Sequence, residues 1–219
     1  MRAMILAAGR GERLRPLTDS LPKPLLRIGG KPLIAWHLER LAQAGFTAVV
    51  INTAWLRDLI VKALGDKSAG GLHIHYSHEG EQALETGGGI CKALPLLGNA
   101  PFLVVNGDVF CDHPLRFRAL APGCLAHLVL VANPDHHPEG DFGLADGRVT
   151  LAGARHTFSG IGVYHPALFA GITERIFPLA PLLSKAVADG KVTGELWCGE
   201  WHDVGAPDRY VALTAKFAE

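Results

Sequence analysis

Short apolar runs and helix-period stretches alternate along the first 133 residues. The runs at 1–8, 46–52, 72–76, 102–106 and 126–132 predict strands, because they are short, apolar and bounded by glycine or polar residues. Apolar positions at helical spacing predict helices over 32–45, over 56–65 and from Gly89 to Leu94. Nearly continuous apolar strands separated by helices are typical of a mostly parallel sheet covered on both faces. We therefore predict an α/β fold.

The pattern loosens after about residue 134. The short runs FGLA, RVTLA and FSGIGVY predict antiparallel strands of a small accessory sheet, packed on or beside the main one. Amphipathic helices are expected over 179–188 and 207–217. Because the sequence shows no repeat, low-complexity tract or linker, we expect one domain over 1–219.

Charge and composition narrow the function classes. The 219 residues include 21 basic and 21 acidic side chains, which gives no support for broad electrostatic capture of nucleic acid or of an anionic membrane. Four widely spaced cysteines without a C-x-x-C pair are typical of a reduced protein, and no apolar run approaches the roughly 20 residues that span a bilayer. We expect a cytoplasmic protein in which any anion site is a local cluster.

Such a cluster follows the first predicted strand, in the segment AAGRGERLRPLTDSLPKPL at 7–25. Between Gly9 and Lys23 the segment has four cations and two acids. Glycines let backbone N–H groups approach an anion, and a loop after a parallel strand lies at the edge where such sheets bind ligands. The segment indicates a polyphosphate site, with a solvated surface loop as the alternative.

Two common phosphate motifs are not met. Gly9 and Gly11 begin a G-x-G-x-x-G dinucleotide fingerprint, but Leu14 occupies the position of its third glycine. Gly29-Gly30-Lys31 is followed by Pro32, so the hydroxyl that a P-loop supplies to Mg²⁺ is missing.

Two aspartates follow apolar runs and are candidate metal ligands. Asp108 ends the sequence Asn106-Gly107-Asp108, and Asp203 follows a tryptophan-rich run. Two carboxylates close to phosphate oxygens suit Mg²⁺, which usually takes one or two carboxylates together with phosphates and waters. Taken separately, each aspartate also fits a turn or a helix cap.

Together these residues resemble the sugar-1-phosphate nucleotidyltransferase family. The resemblance rests on LAAGRGERLRPLTDSLPKPLL, on NGD at a strand end and on DVG near the C-terminus, and it covers essentially the whole chain. It implies a Rossmann-like nucleotidyltransferase fold with a nucleotide-binding half over 1–133 and a sugar-binding half over 134–219. It also implies transfer of a nucleotidyl group to a sugar 1-phosphate with Mg²⁺, by an enzyme that we expect to be a monomer.

The resemblance also assigns roles to residues. It implies nucleotide binding by Gly9, Gly11 and Glu12, the last two mainly through their backbone N–H groups. It implies that Arg13 and Lys23 are catalytic and also contact the nucleotide, with Arg13 on the pyrophosphate and Lys23 at the α-phosphate. Asp108 and Asp203 would hold Mg²⁺.

Within the family, LETGGGI at 84–90, GDF at 140–142 and TFSGIGVYHPALF at 157–169 resemble a branch that transfers a uridylyl group from UTP to N-acetylmuramate 1-phosphate. That branch implies base contacts by Gln82 and Gly87, with Glu81 as an alternative to Gln82. The remaining assignments are a nucleotide contact by Asn106 and sugar contacts by Asp141 and Glu85.

Other members of the family and a different class of protein remain as alternatives. The first are guanylyl-, thymidylyl- or cytidylyltransferases for other phosphorylated acceptors. The second is an inactive regulatory subunit that binds nucleotide sugars.

Several histidines and one cysteine are not assigned to the site. We interpret His73, His75 and His78 as surface or interface residues, since no cysteine or acid lies at zinc spacing from them. Cys111 is interpreted as loop content at the rim of the site, and the His136-His137 pair before Pro138 as a turn.

Overall fold

Thirteen strands are present in the part of the chain that the structure describes, residues 2–116 and 118–217 of a computed structural model. In chain order they are β1 Arg2–Leu6, β2 Arg27–Ile28, β3 Lys31–Pro32, β4 Ala48–Thr53, β5 His73–His78, β6 Phe102–Asn106, β7 Val109–Cys111, β8 Ala126–Val131, β9 Phe142–Ala145, β10 Arg148–Thr150, β11 Arg155–Tyr164, β12 Val192–Trp197 and β13 Trp201–Asp203. The five strands predicted over the first 133 residues are confirmed as β1, β4, β5, β6 and β8, with bounds shifted by at most two residues.

Nine strands form one mixed sheet, in the order β5-β4-β1-β6-β11-β8-β12-β10-β9. The strands β5, β4, β1 and β6 are parallel to one another, whereas β11 runs antiparallel to both β6 and β8. The predicted α/β class is confirmed, and the sheet expected to be mostly parallel is one large mixed sheet. The runs expected as an accessory sheet are β9, β10 and β11, and they are hydrogen-bonded into the main sheet because β11 bridges its two halves. The small antiparallel sheets are β13-β7 and β2-β3.

Helices cover both faces of the sheet. They are α1 Leu17–Ser20, α2 Leu33–Gln43, α3 Arg57–Leu64, α4 Glu85–Leu97, α5 Leu179–Ala188 and α6 Pro207–Lys216, with 3₁₀ turns at Glu12–Leu14, Lys23–Leu25 and Pro166–Phe169. None of the helices in the described residues is long and apolar enough to cross a bilayer.

The side chains of β1 show why its sequence is apolar throughout. Ala3 and Ile5 belong to one core cluster with α2, whereas Met4 belongs to another cluster with α4 and α5. Successive side chains of a strand point to opposite faces, so both faces of β1 must be apolar. Because both faces of β1 are buried, polar side chains can be placed only at the ends of this strand.

Candidate active site

The carboxyl ends of β1, β4 and β6 lie at one edge of the sheet and line a cavity of about 470 Å³. The cavity is lined by the loop after β1, by Asn52 at the end of β4, by Glu79 after β5 and by Asn106 and Asp108 after β6. Parallel sheets bind ligands at this edge because each strand delivers its following loop there. The predicted phosphate loop therefore lies at an edge suited to a ligand.

The conformation of the loop that follows β1, here called the glycine loop, depends on Gly11. Gly11 has φ +68°, and a Cβ there would lie 2.9 Å from Cγ2 of Thr18. A left-handed conformation and a close side-chain neighbour both favour glycine at this position. The Thr18 hydroxyl donates a 2.8 Å hydrogen bond to the carbonyl oxygen of Gly11, which holds the loop closed on itself.

Three of the four cations in the loop line the cavity, namely Arg10, Arg13 and Lys23. Lys23 is nearly buried, and its ammonium donates a 2.8 Å hydrogen bond to Oδ2 of Asp108. Arg15 is turned away and forms an ion pair with Asp19 at 3.1 Å. The cavity is therefore lined by three of the four cationic side chains that the sequence places in the loop.

Asp108 and Asp203 are brought together by the β7-β13 ribbon. Asp203 lies opposite Val109, and the amide of Val204 donates a 2.7 Å hydrogen bond to the carbonyl oxygen of Asp108. Oδ1 of Asp203 is buried and faces two basic side chains, with Nε of Arg209 at 2.8 Å and Nε2 of His136 at 3.3 Å. A buried carboxylate oxygen that faces basic groups in the free protein also suits a metal cation.

Metal binding at this ribbon would need ligands from the substrate. Among residues 2–116 and 118–217, no three His, Cys, Asp or Glu side chains cluster closely enough to hold an ion by themselves. Two carboxylates fit the habit of Mg²⁺, which keeps waters and takes phosphate oxygens from its substrate. The residues present fit a shared metal site rather than a protein cage.

A fixed polar wall that was not predicted from the sequence closes the other side of the cavity. The amide of Ala7 donates to Oδ1 of Asn52 at 2.7 Å, and Nδ2 of Asn52 donates to Oε1 of Glu79 at 2.6 Å. Oε2 of Glu79 accepts from the amide of Leu84 at 2.6 Å. Asn52 follows an apolar run just as Asn106 does, whereas Glu79 follows the polar pair Ser77-His78 and has no such signal in the sequence.

Two residues predicted to contact the base, Gln82 and Gly87, are not among the residues that line the cavity. The amide of Gly87 donates a 3.0 Å hydrogen bond to the carbonyl oxygen of Phe177, so it is not free to contact a base. Glu85, expected at the sugar, lines this first cavity instead.

A second cavity of about 320 Å³ adjoins the first and shares Asn106 and Asp108 with it. Asp141 lines this second cavity, where its Oδ2 accepts a 2.7 Å hydrogen bond from the amide of Phe158. His137 lies 3.2 Å from Oδ1 of Asp141, and His136 lies 3.3 Å from Oδ1 of Asp203. The two histidines interpreted as a turn therefore contact carboxylates of the site.

The site combines a cationic glycine loop at the carboxyl edge of the sheet with a pair of aspartates near the junction of two cavities. This arrangement is typical of an enzyme that transfers a phosphorus-bearing group between two substrates. The chain belongs to the nucleotidyl transferase family, whose model matches residues 2–148. It is therefore a nucleotidyltransferase.

Relatives agree with this assignment over almost the full length of the chain. An N-acetylmuramate alpha-1-phosphate uridylyltransferase of Neisseria meningitidis is 54% identical, with 94% of this chain and 93% of the relative covered. A protein of the same name from Caulobacter vibrioides is 37% identical, with 99% and 97% covered. The crystal structure of HddC from Yersinia pseudotuberculosis shares the fold, with a TM-score of 0.80, 21% identity and 99% of each chain covered.

Proposed function

We propose that this enzyme transfers a uridylyl group from UTP to N-acetylmuramate 1-phosphate and releases pyrophosphate. The observation that carries the proposal is the junction of the two cavities at Asn106 and Asp108, beside Lys23. Two substrates bound in the two cavities would meet there. The choice of UTP and of this sugar phosphate is supported by the names of the two relatives, which match the chain nearly end to end.

The chemistry asks the protein for charge neutralisation rather than for a base. The attacking oxygen belongs to an already ionised phosphate, so no proton has to be removed from it. Two polyanions must approach in line at the α-phosphorus, and the barrier is lowered by holding them and by offsetting charge. A site of amides, guanidinium groups and an ammonium is suited to this task.

Lys23 and Arg13 divide the cationic role. Lys23 is nearly buried and fixed by Asp108 at the junction, so we assign it to the α-phosphate and the incoming sugar phosphate. Arg13 lines the first cavity near Gly205, where a Cβ on Gly205 would lie 3.2 Å from Nη2 of Arg13. We assign Arg13 to the departing pyrophosphate, with the amides of Gly11 and Glu12.

Asp108 and Asp203 are proposed to hold Mg²⁺ when the nucleotide is bound. The ion would supply positive charge to the phosphates, while the chain's own contribution is to keep the two carboxylates side by side on the β7-β13 ribbon. The buried Oδ1 of Asp203, which faces the basic side chains of Arg209 and His136, supports this part of the proposal.

Glu79 replaces Gln82 and Gly87 in the proposed contact with the base. Both of its oxygens are fixed by donors of the protein, and its carboxylate lines the first cavity. A fixed acceptor is suited to an N–H group such as that of uracil. For the sugar we retain Asp141, which lines the second cavity.

We also propose that the enzyme works as a monomer in the cytoplasm. The four cysteines are free, which suits a reducing compartment. Light scattering of the purified enzyme at assay concentration tests the monomer, and a dimer mass would contradict it.

Release of pyrophosphate, measured with each of the four ribonucleoside triphosphates and dTTP against several sugar 1-phosphates, tests the proposed reaction. We expect release only with UTP and N-acetylmuramate 1-phosphate. Release with GTP and mannose 1-phosphate, or with dTTP and glucose 1-phosphate, but not with the proposed pair would reject the assignment. Binding without release for every pair would indicate a regulatory subunit.

A further inference from the structure

Arg10 stands at the rim of the first cavity without a carboxylate partner. Its guanidinium carbon lies 4.4 Å from the centre of the Trp55 ring, and within residues 2–116 and 118–217 it forms no hydrogen bond or ion pair. A guanidinium that stacks through its face keeps all of its in-plane N–H groups available. Arg10 is therefore held in place and still able to bind an anion.

Trp55 contacts the glycine loop at a second point. Its Nε1 donates a 3.0 Å hydrogen bond to the carbonyl oxygen of Thr18, the residue whose hydroxyl binds Gly11. Trp55 therefore contacts the loop both at the guanidinium group of Arg10 and at the backbone of Thr18.

The charges around the loop indicate which ligand Arg10 would meet. Lys23 is paired with Asp108 and Arg15 with Asp19, so Arg10 and Arg13 are the loop's guanidinium groups without an ion pair among the described residues. The far wall of the cavity carries the carboxylate of Glu79, which disfavours a polyphosphate there. The side of the cavity that carries Arg10 and Arg13 is therefore the side suited to the most highly charged phosphate groups of a ligand.

We propose that Arg10 binds the β- and γ-phosphates of the nucleotide, the part that leaves as pyrophosphate, and that Trp55 is the positioning residue that holds Arg10 for this contact. The inference rests on the proposed function, because it requires a triphosphate in the first cavity. It adds a phosphate-binding residue and its support to the loop.

Calorimetric binding of UTP and UMP, with Mg²⁺ present, tests both parts. Arg10→Met should weaken UTP about tenfold, the loss of one charge-assisted hydrogen bond, and leave UMP unchanged. Trp55→Leu should weaken UTP about threefold, the value of an exposed cation–π contact, and Trp55→Phe should restore most of it. Arg15→Met is the matched control, since Arg15 is in the same loop but paired with Asp19, and it should bind UTP like the wild type.

The double variant of Arg10→Met and Trp55→Leu tests whether Trp55 acts by holding Arg10 or by stabilising the loop independently of Arg10. If Trp55 acts through Arg10, the double variant binds UTP no more weakly than Arg10→Met alone. Losses that multiply, or an Arg10→Met variant that binds UTP like the wild type, would overturn the inference while leaving the proposed function intact. A wild-type enzyme that binds UMP but no triphosphate would overturn both.

Discussion

Replacing Lys23 by Met tests the charge-neutralisation mechanism at the junction of the two cavities. The change removes the ammonium that lies 2.8 Å from Oδ2 of Asp108 and keeps a side chain of similar length. If Lys23 offsets charge on the reacting phosphates, its loss must appear in turnover, because the interaction strengthens as the transition state forms.

The structure sets the size of the two effects. The Lys23 side chain is only 10% exposed, so its charge acts in a poorly solvated site, and removing it should cost about 3–4 kcal/mol of barrier, or roughly 10²–10³ in kcat. Folding should change by less than about 1 kcal/mol, since Met fills the space and the carboxylate of Asp108 is 39% exposed and stays hydrated. Asp108→Asn should be folded but less stable by about 2 kcal/mol, because it strands a buried ammonium.

Steady-state pyrophosphate release with both substrates saturating, combined with a Mg²⁺ titration, is the assay. Lys23→Met should lose kcat without changing the Mg²⁺ concentration at half-maximal rate, whereas Asp108→Asn should raise that concentration and have almost no turnover. Lys31→Met is the control, because the Lys31 ammonium pairs with Glu39 outside the cavity. A Lys23→Met enzyme with kcat within tenfold of the wild type would contradict a charge-neutralising role for Lys23.

Three further predictions concern the loop, the polar wall and a buried histidine. Gly11→Ala should lower Tm by about 3–6 °C, because φ is +68°, whereas Gly9→Ala, with open space around it, should change Tm by less than about 1 °C. Glu79→Gln should raise KM for UTP more than it lowers kcat, since an amide group would oppose the donors that now fix the carboxylate. Burial lowers the pKa of His37 to about 4, so the unfolded chain takes up this proton first and stability falls as pH drops from about 6.5 towards 4. Urea unfolding should show a loss of about 2 kcal/mol between pH 7.5 and pH 5 that is absent from His37→Asn; equal losses in the two proteins would contradict the assignment.

How far the sequence predicted the site depends on where each residue lies along its strand. Asp108 and Asn106 were found because a polar group directly after a buried strand is conspicuous. Asn52 occupies the same register position on β4 as Asn106 on β6, and Glu79 comes directly after β5. The wall that they form appears only from the hydrogen bonds that join them to each other and to the β1 loop. A contact between different strands has no local signature in the sequence.

At the start of α4 the prediction was wrong for a different reason, because tertiary packing outweighs the low helix propensity of glycine. The predicted helix began only at Gly89, the last of three consecutive glycines, which disfavour a helix, whereas α4 begins at Glu85. A Cβ on Gly87 would lie 2.3 Å from the Phe177 ring, and one on Gly88 would lie 2.3 Å from the carbonyl oxygen of Arg175. The glycines let α4 pack closely against the segment that contains Arg175 and Phe177. That segment is distant from α4 in the sequence, so the contact could not be predicted.

A crystal structure with N-acetylmuramate 1-phosphate, Mg²⁺ and a UTP analogue that is non-hydrolysable between the α- and β-phosphates would show whether the two substrates meet at the junction of the cavities. We predict the triphosphate in the first cavity against the glycine loop and Arg13, with the ion on Asp108 and Asp203. We also predict the sugar in the second cavity, with its phosphate oxygen aligned for attack beside Lys23. A nucleotide bound away from these four side chains, or a sugar phosphate that does not reach the α-phosphorus, would contradict this prediction.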